Sequence, residues 1–255
     1  MIPTEIKTID DVILSLEQII IQAEKNEDPL GYFAALYQKV TIKVKEGIKS
    51  SYFDDGARME KLDVIFAKKY IDAYYAWEQN EPVSISWENA FRYSTLYWPL
   101  VLQHLLMGMN AHINLDLGIA ATEISRNKSI HNLRDDFYRI NEILSSLVND
   151  VQNNLSFIWP PLKKILQKTG KLDDLLVDFS MELARDGAWE FAKQLSLISE
   201  KQFAAEVNLR DKKVATKTKL ITPSKTWLKI ILWIIRLGES GTVSEKINKL
   251  KKQGK

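Results

Sequence analysis

The sequence predicts an all-α protein, a single bundle of about eight or nine helices around one buried central helix at about 99–124. Three observations lead to this fold class. The 255 residues include only ten Gly and seven Pro, and such scarcity favours long helices over strands and tight turns. Apolar side chains recur at helical spacing in successive segments. An apolar content of 45% is sufficient for a sizeable core.

Three helices are predicted in the N-terminal part of the chain. The first covers about 9–24 and begins after Thr8, which can cap it with its side chain. A break before Leu30 starts a second helix, over about 30–49. Asp54, Asp55 and Gly56 form the next break, and a third helix follows it and runs to about Glu78. Each has an apolar face that can pack on the others.

Proline residues separate the next two elements. Pro82 begins a loop, and Ser86 is predicted to cap a short helix that Pro99 ends or kinks. The run over 99–121 is apolar on every side, which is typical of a helix in the middle of a protein. We therefore expect this segment to be the buried centre of the bundle and to end near Ile124.

The C-terminal half continues with helices over about 133–155 and 172–203, with a short helix after Trp159. From Arg210 the chain is too basic and too poor in large apolar side chains to predict a packed helix. The predicted organisation is a helical domain over residues 1–209, followed over 210–255 by a basic linker, an apolar helix and a tail. We expect the C-terminal helix to pack on the same domain.

The net charge of +2 conceals an uneven distribution, because residues 210–255 contain 13 Lys/Arg and only 3 Asp/Glu. The remaining body is acidic, so nucleic acid is not an expected partner, whereas the basic segment could contact an anionic membrane surface. Its apolar helix, TWLKIILWIIRL, spans about 18 Å and is too short to cross a bilayer. An interfacial helix or an oligomer contact is the alternative to packing on the body.

Several chemistries are excluded by what the sequence lacks. Without cysteine there is no disulfide, thiolate metal site or cysteine nucleophile. No phosphate-binding glycine loop, dinucleotide fingerprint or Gly-x-Ser-x-Gly motif is present. We find neither a secretory signal pattern nor a run of about 20 apolar residues. The expected location is the cytoplasm, with attachment to the inner face of the membrane as an alternative.

Polar side chains on the central helix form the candidate site. One line consists of His104, Gly108, His112 and Asp116, and the other of Gln103, Asn110 and Asn114. Burying each without a partner costs about 1–3 kcal/mol, so neighbouring helices or a ligand must satisfy them. Because His112 and Asp116 are one turn apart, the carboxylate can orient the imidazole, or both can bind one metal ion.

Three interpretations of this cluster remain open: buried histidines with a structural role, a small-molecule pocket, and a metal site. In the pocket interpretation His112 is the acid/base, Asp116 orients it, and His104 borders the same cavity. The substrate-binding candidates are Gln103, Asn110, Asn114, Arg185 and Asp186. With three histidines and neither Glu-x-x-His nor His-Glu-x-x-His, we assign no metal ligands, and the sequence identifies no cofactor.

The segments GMNAHINLDL, FAKKYIDAYYAW and RDGAWEF resemble an uncharacterised family of bacterial helical proteins, a domain of unknown function. Its mark is a His, seven residues, then His-Ile-Asn-x-Asp-Leu, which here places His104, His112, Asn114 and Asp116. The resemblance covers about residues 10–205 and implies a shared site without a reaction, substrate or cofactor. We therefore hypothesise a small-molecule enzyme or binding protein with a polar cavity. A membrane-peripheral lipid-handling protein and a structural interaction module are the alternatives, and the oligomeric state is not indicated.

Overall fold

The computed structural model describes residues 5–126, 128–161, 181–222 and 224–252, and over these residues the protein is all-α, as predicted. They form eleven α-helices, slightly more than the eight or nine expected. These are α1 (Ile9–Asn26), α2 (Gly31–Lys49), α3 (Gly56–Glu78), α4 (Ile85–Ser94), α5 (Val101–Ala111), α6 (Leu117–Ile124), α7 (Arg134–Ile158), α8 (Met181–Ser196), α9 (Glu200–Ile221), α10 (Thr226–Gly238) and α11 (Val243–Lys251).

The central helix is continuous from Val101 to Ile124, but it changes geometry in the middle. Residues His112–Asp116 form a π-helical turn between α5 and α6, in which the Leu117 N–H donates to the His112 carbonyl. Almost every side chain from Val101 to Thr122 is buried, with α2, α3, α8 and α9 packed around it. Single π turns of this kind often occur at functional sites.

The residue that caps α1 is the predicted one, whereas the residue that caps α4 is not. Thr8 caps α1, and its hydroxyl accepts from the Asp11 N–H. α4 is capped by Ser84, so the prediction of Ser86 as the cap is wrong. Ser86 is buried in the first turn instead, where its N–H donates to Asp211 of α9 at 2.9 Å. The carboxylate of a distant helix thus binds an N-terminal amide of α4.

The segment after Arg210 is helical, which corrects the prediction of a basic linker there. α9 runs without interruption to Ile221. Its buried stripe contains Val214, Ala215 and Ile221, whereas Lys219 is exposed and the Lys217 ammonium binds Asn114 of the central helix. A narrow apolar stripe is sufficient to hold a basic helix, because long lysine side chains can place their charged ends in water or on a polar partner.

Other predicted boundaries in the C-terminal half also change. The long helix expected over 172–203 ends at Ser196, and α9 begins after the Ser199 cap. The start of that predicted helix, and most of the short helix after Trp159, lie outside the described residues. The tail contributes a packed helix, since Ile247 and Leu250 of α11 are buried against α1, α2 and α7.

α10 is attached to the body by few contacts. Leu232 is its one buried residue, whereas Trp227, Ile234 and Leu237 are more than half exposed. No helix in the described part of the chain combines the length and the apolar character needed to cross a membrane. The apolar face of α10 is therefore neither a bilayer span nor a core face.

Candidate functional site

A hydrogen-bonded chain of three side chains lies at the centre of the bundle. The carboxylate of Asp116 accepts from the Trp87 Nε1–H at 2.9 Å and pairs with His112 Nδ1 at 3.0 Å, both through its Oδ2 atom. His112 and Asp116 are only 2% and 4% exposed. Because a carboxylate accepts but does not donate, it holds the proton on Nδ1 and leaves the Nε2 lone pair of His112 available.

Aromatic rings surround the His112 imidazole. The Phe66 ring is parallel to it at a centroid distance of 3.6 Å, and the Tyr37 ring meets it edge-on at 4.6 Å. Burial lowers the pKa of His112, and the hydrogen bond with Asp116 only partly opposes that effect. At neutral pH the imidazole is therefore neutral, and Nε2 is a basic atom in an apolar setting.

A cavity of about 260 Å³ lies beside this imidazole. One wall is a stripe of the central helix from Leu102 to Leu117, about 22 Å long at 1.5 Å per residue. Another wall is the apolar face of α7 from Ile140 to Leu155, and residues of α2 and α3, with Arg185 of α8, form the rest of the described lining. An apolar cavity of about 150 Å³ holds benzene, so this one is large enough for a longer apolar molecule.

The lining of the cavity contains both apolar and polar groups. Leu102 and Leu155 belong to the same apolar cluster. Tyr37, Asp63 and His112 lie near one another and line the cavity, and Arg185 lines it as well. In each of the four, one buried side-chain atom has no hydrogen-bond partner among the described residues: Tyr37 Oη, Asp63 Oδ2, His112 Nε2 and Arg185 Nε. Such atoms are costly unless something binds them, at about 1–3 kcal/mol each.

Arg185 is the one cation among the described residues that line the cavity. It is 3% exposed, donates to the Phe137 carbonyl at 2.6 Å, and has a pKa that burial lowers to about 10, although the Asp186 carboxylate is close enough to raise it. Burial, with Glu60 as a lesser cause, raises the pKa of Asp63 to about 8, so that carboxyl is mostly protonated at pH 7. With Arg185 charged and Asp63 and His112 neutral, these polar groups favour an anion.

The raised pKa of Asp63 predicts a pH-dependent effect of Asp63→Asn on stability. Because the pKa is about 8 in the folded protein and about 3.9 in an unfolded chain, stability from this carboxyl is lost as pH rises through that interval. Asp63→Asn removes the loss, so the stability of the variant relative to the native protein should rise by about 4 kcal/mol between pH 5 and pH 9. Urea unfolding at several pH values measures it. The exposed Asp72→Asn on the same helix is the control, and an equal rise for both variants contradicts the prediction.

His104 lies apart from His112. It borders a separate cavity of about 20 Å³, between the rings of Tyr32 and Tyr93 at 5.5 and 5.8 Å. Burial lowers the pKa of His104 to about 3, and the space beside it suits little more than a water molecule. Gly108 lines the same small cavity, where an added Cβ would lie 2.4 Å from the Phe33 ring. The Phe33 ring therefore occupies the space that a side chain at position 108 would need. The expectation that His104 and His112 border the same cavity is wrong.

The predicted amide ligands join helices in this structure. Gln103 donates to the Ile221 carbonyl at 2.8 Å, and Asn110 donates to the Val214 carbonyl at 3.1 Å. Asn114 accepts from Lys217 of α9 at 2.9 Å. None of the three lines the large cavity. These side chains connect the central helix to α9, and the expected polar cavity is instead mainly apolar.

Arg185 and Asp186 have different surroundings although they are neighbours in sequence. Arg185 lines the cavity, whereas Asp186 is half-buried outside it, close to Tyr138. Burial and the Asp186 carboxylate raise the pKa of Tyr138. The sequence did not place Tyr37 in the site, and it indicated Asp63 only as a lesser candidate for which a structural role was preferred. Asp63 carried a usable signal, since it is a carboxyl on the apolar side of α3 next to Leu62.

These features define an all-α protein with a buried His–Asp pair beside an elongated apolar cavity. No group of three or more potential metal ligands occurs among the residues with described positions. The chain belongs to the family of unknown function DUF5995, which matches residues 9–224. Membership of a domain-of-unknown-function family is thereby confirmed, and the match extends to the end of α9. Searches among curated proteins and among solved structures found no match.

Proposed function

We propose that the protein binds an elongated apolar molecule with a carboxylate head group, of the kind found in medium-chain fatty acids. The observation that carries this proposal is the set of four buried polar atoms, unpaired among the described residues, in the lining of an otherwise apolar cavity. An alkyl chain would lie between the central helix and α7, towards Leu102 and Leu155. The carboxylate would lie beside these polar atoms, where Arg185 supplies the charge.

Each polar group has a distinct role in this arrangement. Arg185 and Tyr37 donate hydrogen bonds to the carboxylate, and protonated Asp63 can donate a third. His112 Nε2 takes up a proton when the anion binds, because a nearby negative charge favours the imidazolium. Asp116 is a positioning residue that holds the ring and stabilises its charged form.

The same geometry gives His112 the properties of a general base. Towards a bound molecule with a hydroxyl or an acidic C–H group near Nε2, it could accept a proton in a site that excludes water. Binding is the part of the function that the described groups support directly. Turnover would need a substrate with that additional group. We propose the cytoplasm as the compartment, with which a chain lacking cysteine is compatible.

Binding of three molecules with the same alkyl chain tests the proposal. Decanoate, decanol and decylamine differ only in the head group, and isothermal titration calorimetry below their critical micelle concentrations gives each affinity. We expect decanoate to bind about tenfold more tightly than decanol, and decylamine to bind least, because Arg185 in the lining is positively charged. The proposal fails if none of the three binds, or if decylamine binds most tightly. In either case a structural role for His112 would be the better interpretation.

A further inference from the structure

An exposed apolar surface is formed by α10 and by the loop that precedes the central helix. Exposure reaches 58% at Trp227, 65% at Ile234 and 72% at Leu237. The loop adds Tyr97 and Trp98, which are 67% and 44% exposed. Contiguous apolar surfaces of this kind on soluble proteins mark interaction sites.

The helix and the loop are held together as one surface. The rings of Trp98 and Trp233 lie 5.3 Å apart. Arg236 donates from Nε to the Tyr97 carbonyl at 3.0 Å, and its guanidinium lies 4.9 Å from the centre of the Tyr97 ring. These contacts fix the orientation of α10 while leaving most of its apolar side chains exposed.

The composition of this surface indicates its partner. Thr226–Gly238 contains no Asp or Glu, and exposed Lys225 and Lys229 lie at its start. Tryptophan and tyrosine are the side chains that prefer the boundary between lipid and water. A second copy would present the same surface, whose helix has no acidic side chain to complement these lysines. An anionic lipid surface complements both the apolar and the basic side chains.

We propose that α10 and residues 96–98 dock the protein on a membrane surface rich in anionic phospholipids. The thirteen residues of α10 are about 20 Å long, so the helix lies in the plane of the interface and does not span the bilayer. Leu102, which lines the cavity, is only a few residues beyond this loop. Docking would therefore bring that part of the cavity close to the lipid.

Vesicle binding by the full chain tests the proposal. Co-sedimentation is measured with vesicles of phosphatidylglycerol and phosphatidylcholine in equal amounts, and with vesicles of phosphatidylcholine alone. We expect at least tenfold stronger binding to the mixed vesicles, with a blue shift of tryptophan fluorescence as Trp227 and Trp233 enter the interface. The double variant Ile231→Glu, Ile234→Glu should bind at least tenfold more weakly. Both positions are exposed, so the substitutions leave the core unchanged.

A matched control tests whether vesicle binding depends on this surface or on exposed apolar side chains in general. Leu14 and Ile21 of α1 are 62% and 55% exposed, and Leu14→Glu, Ile21→Glu adds the same charge outside the α10 surface. We expect this control to bind the mixed vesicles like the unaltered protein. Equal loss in both double variants, equal binding to both vesicle types, or no binding at all would each overturn the proposal. So would a dimer that binds no vesicle and becomes monomeric on Ile231→Glu, Ile234→Glu.

Discussion

Replacing His112 by phenylalanine should lower the affinity for decanoate by about a hundredfold without unfolding the protein. Phenylalanine preserves the stacking on Phe66 and the edge contact with Tyr37, but it removes Nε2 and with it a charge-assisted hydrogen bond worth about 1.5–3 kcal/mol. Asp116 keeps the bond from Trp87, so the stability loss should be smaller, about 1–2 kcal/mol. Calorimetric titration and thermal unfolding measure the two effects separately.

Asp116→Asn is the conservative counterpart of that substitution. Trp87 and His112 both bond to the Oδ2 atom of Asp116, so an amide oxygen at the same place can accept both bonds and preserve the geometry. The negative charge is lost, however, and the imidazolium is less stable. We expect an intermediate affinity and a smaller proton uptake on binding, measured by titration in buffers of different ionisation enthalpy. If both variants bind decanoate normally and lose only thermal stability, the pair is structural.

The central helix and its His–Asp pair follow from local sequence features. Apolar residues on every side of 99–121 require burial, and a spacing of four residues allows His112 and Asp116 to meet. The structure brings these two side chains to 3.0 Å. The π turn between α5 and α6 was not predictable, because the segment has neither proline nor a periodicity change that would signal it.

The cavity could not be predicted, because it depends on how helices far apart in sequence pack together. The apolar stripe of α7 has the pattern of an ordinary core face, and no local feature shows that part of it faces a cavity lined by the described residues. For Gln103 and Asn114 the reverse holds. Their polarity suggested that they bind a ligand, but their hydrogen-bond partners are groups of α9. The C-terminal part of α9 was not predicted as a helix, because its composition is strongly basic. The overall composition of a segment does not reveal a narrow buried stripe, because such a stripe requires only a few apolar residues on one face of the helix.

Arg185→Met should reverse the head-group preference of the cavity. Methionine is unbranched and apolar and matches the arginine side chain as far as Nε, so it fills the space of the arginine stem without the charge. Removing the one cation among the described lining residues should cost decanoate at least a hundredfold in affinity, whereas decanol, which does not depend on that charge, should change less than fivefold. Decanol would then bind more tightly than decanoate, and calorimetric titration of both compounds measures the reversal.

Two further variants test whether the reversal is due to the charge of Arg185. Arg185→Lys keeps a cation but loses the planar guanidinium, so it should recover part of the preference for decanoate. Asp63→Asn keeps an uncharged hydrogen-bond donor at this position, so the preference for decanoate should be unchanged at pH 7. At pH 9 the same variant should bind decanoate more tightly than the native protein does. The reason is that the native Asp63, with its pKa of about 8, is negatively charged at pH 9. An unchanged preference for decanoate in Arg185→Met would show that the carboxylate does not lie beside Arg185. The unpaired Nε would then need another explanation, since a buried cation in an apolar wall is unfavourable unless a ligand or a neighbouring group compensates it.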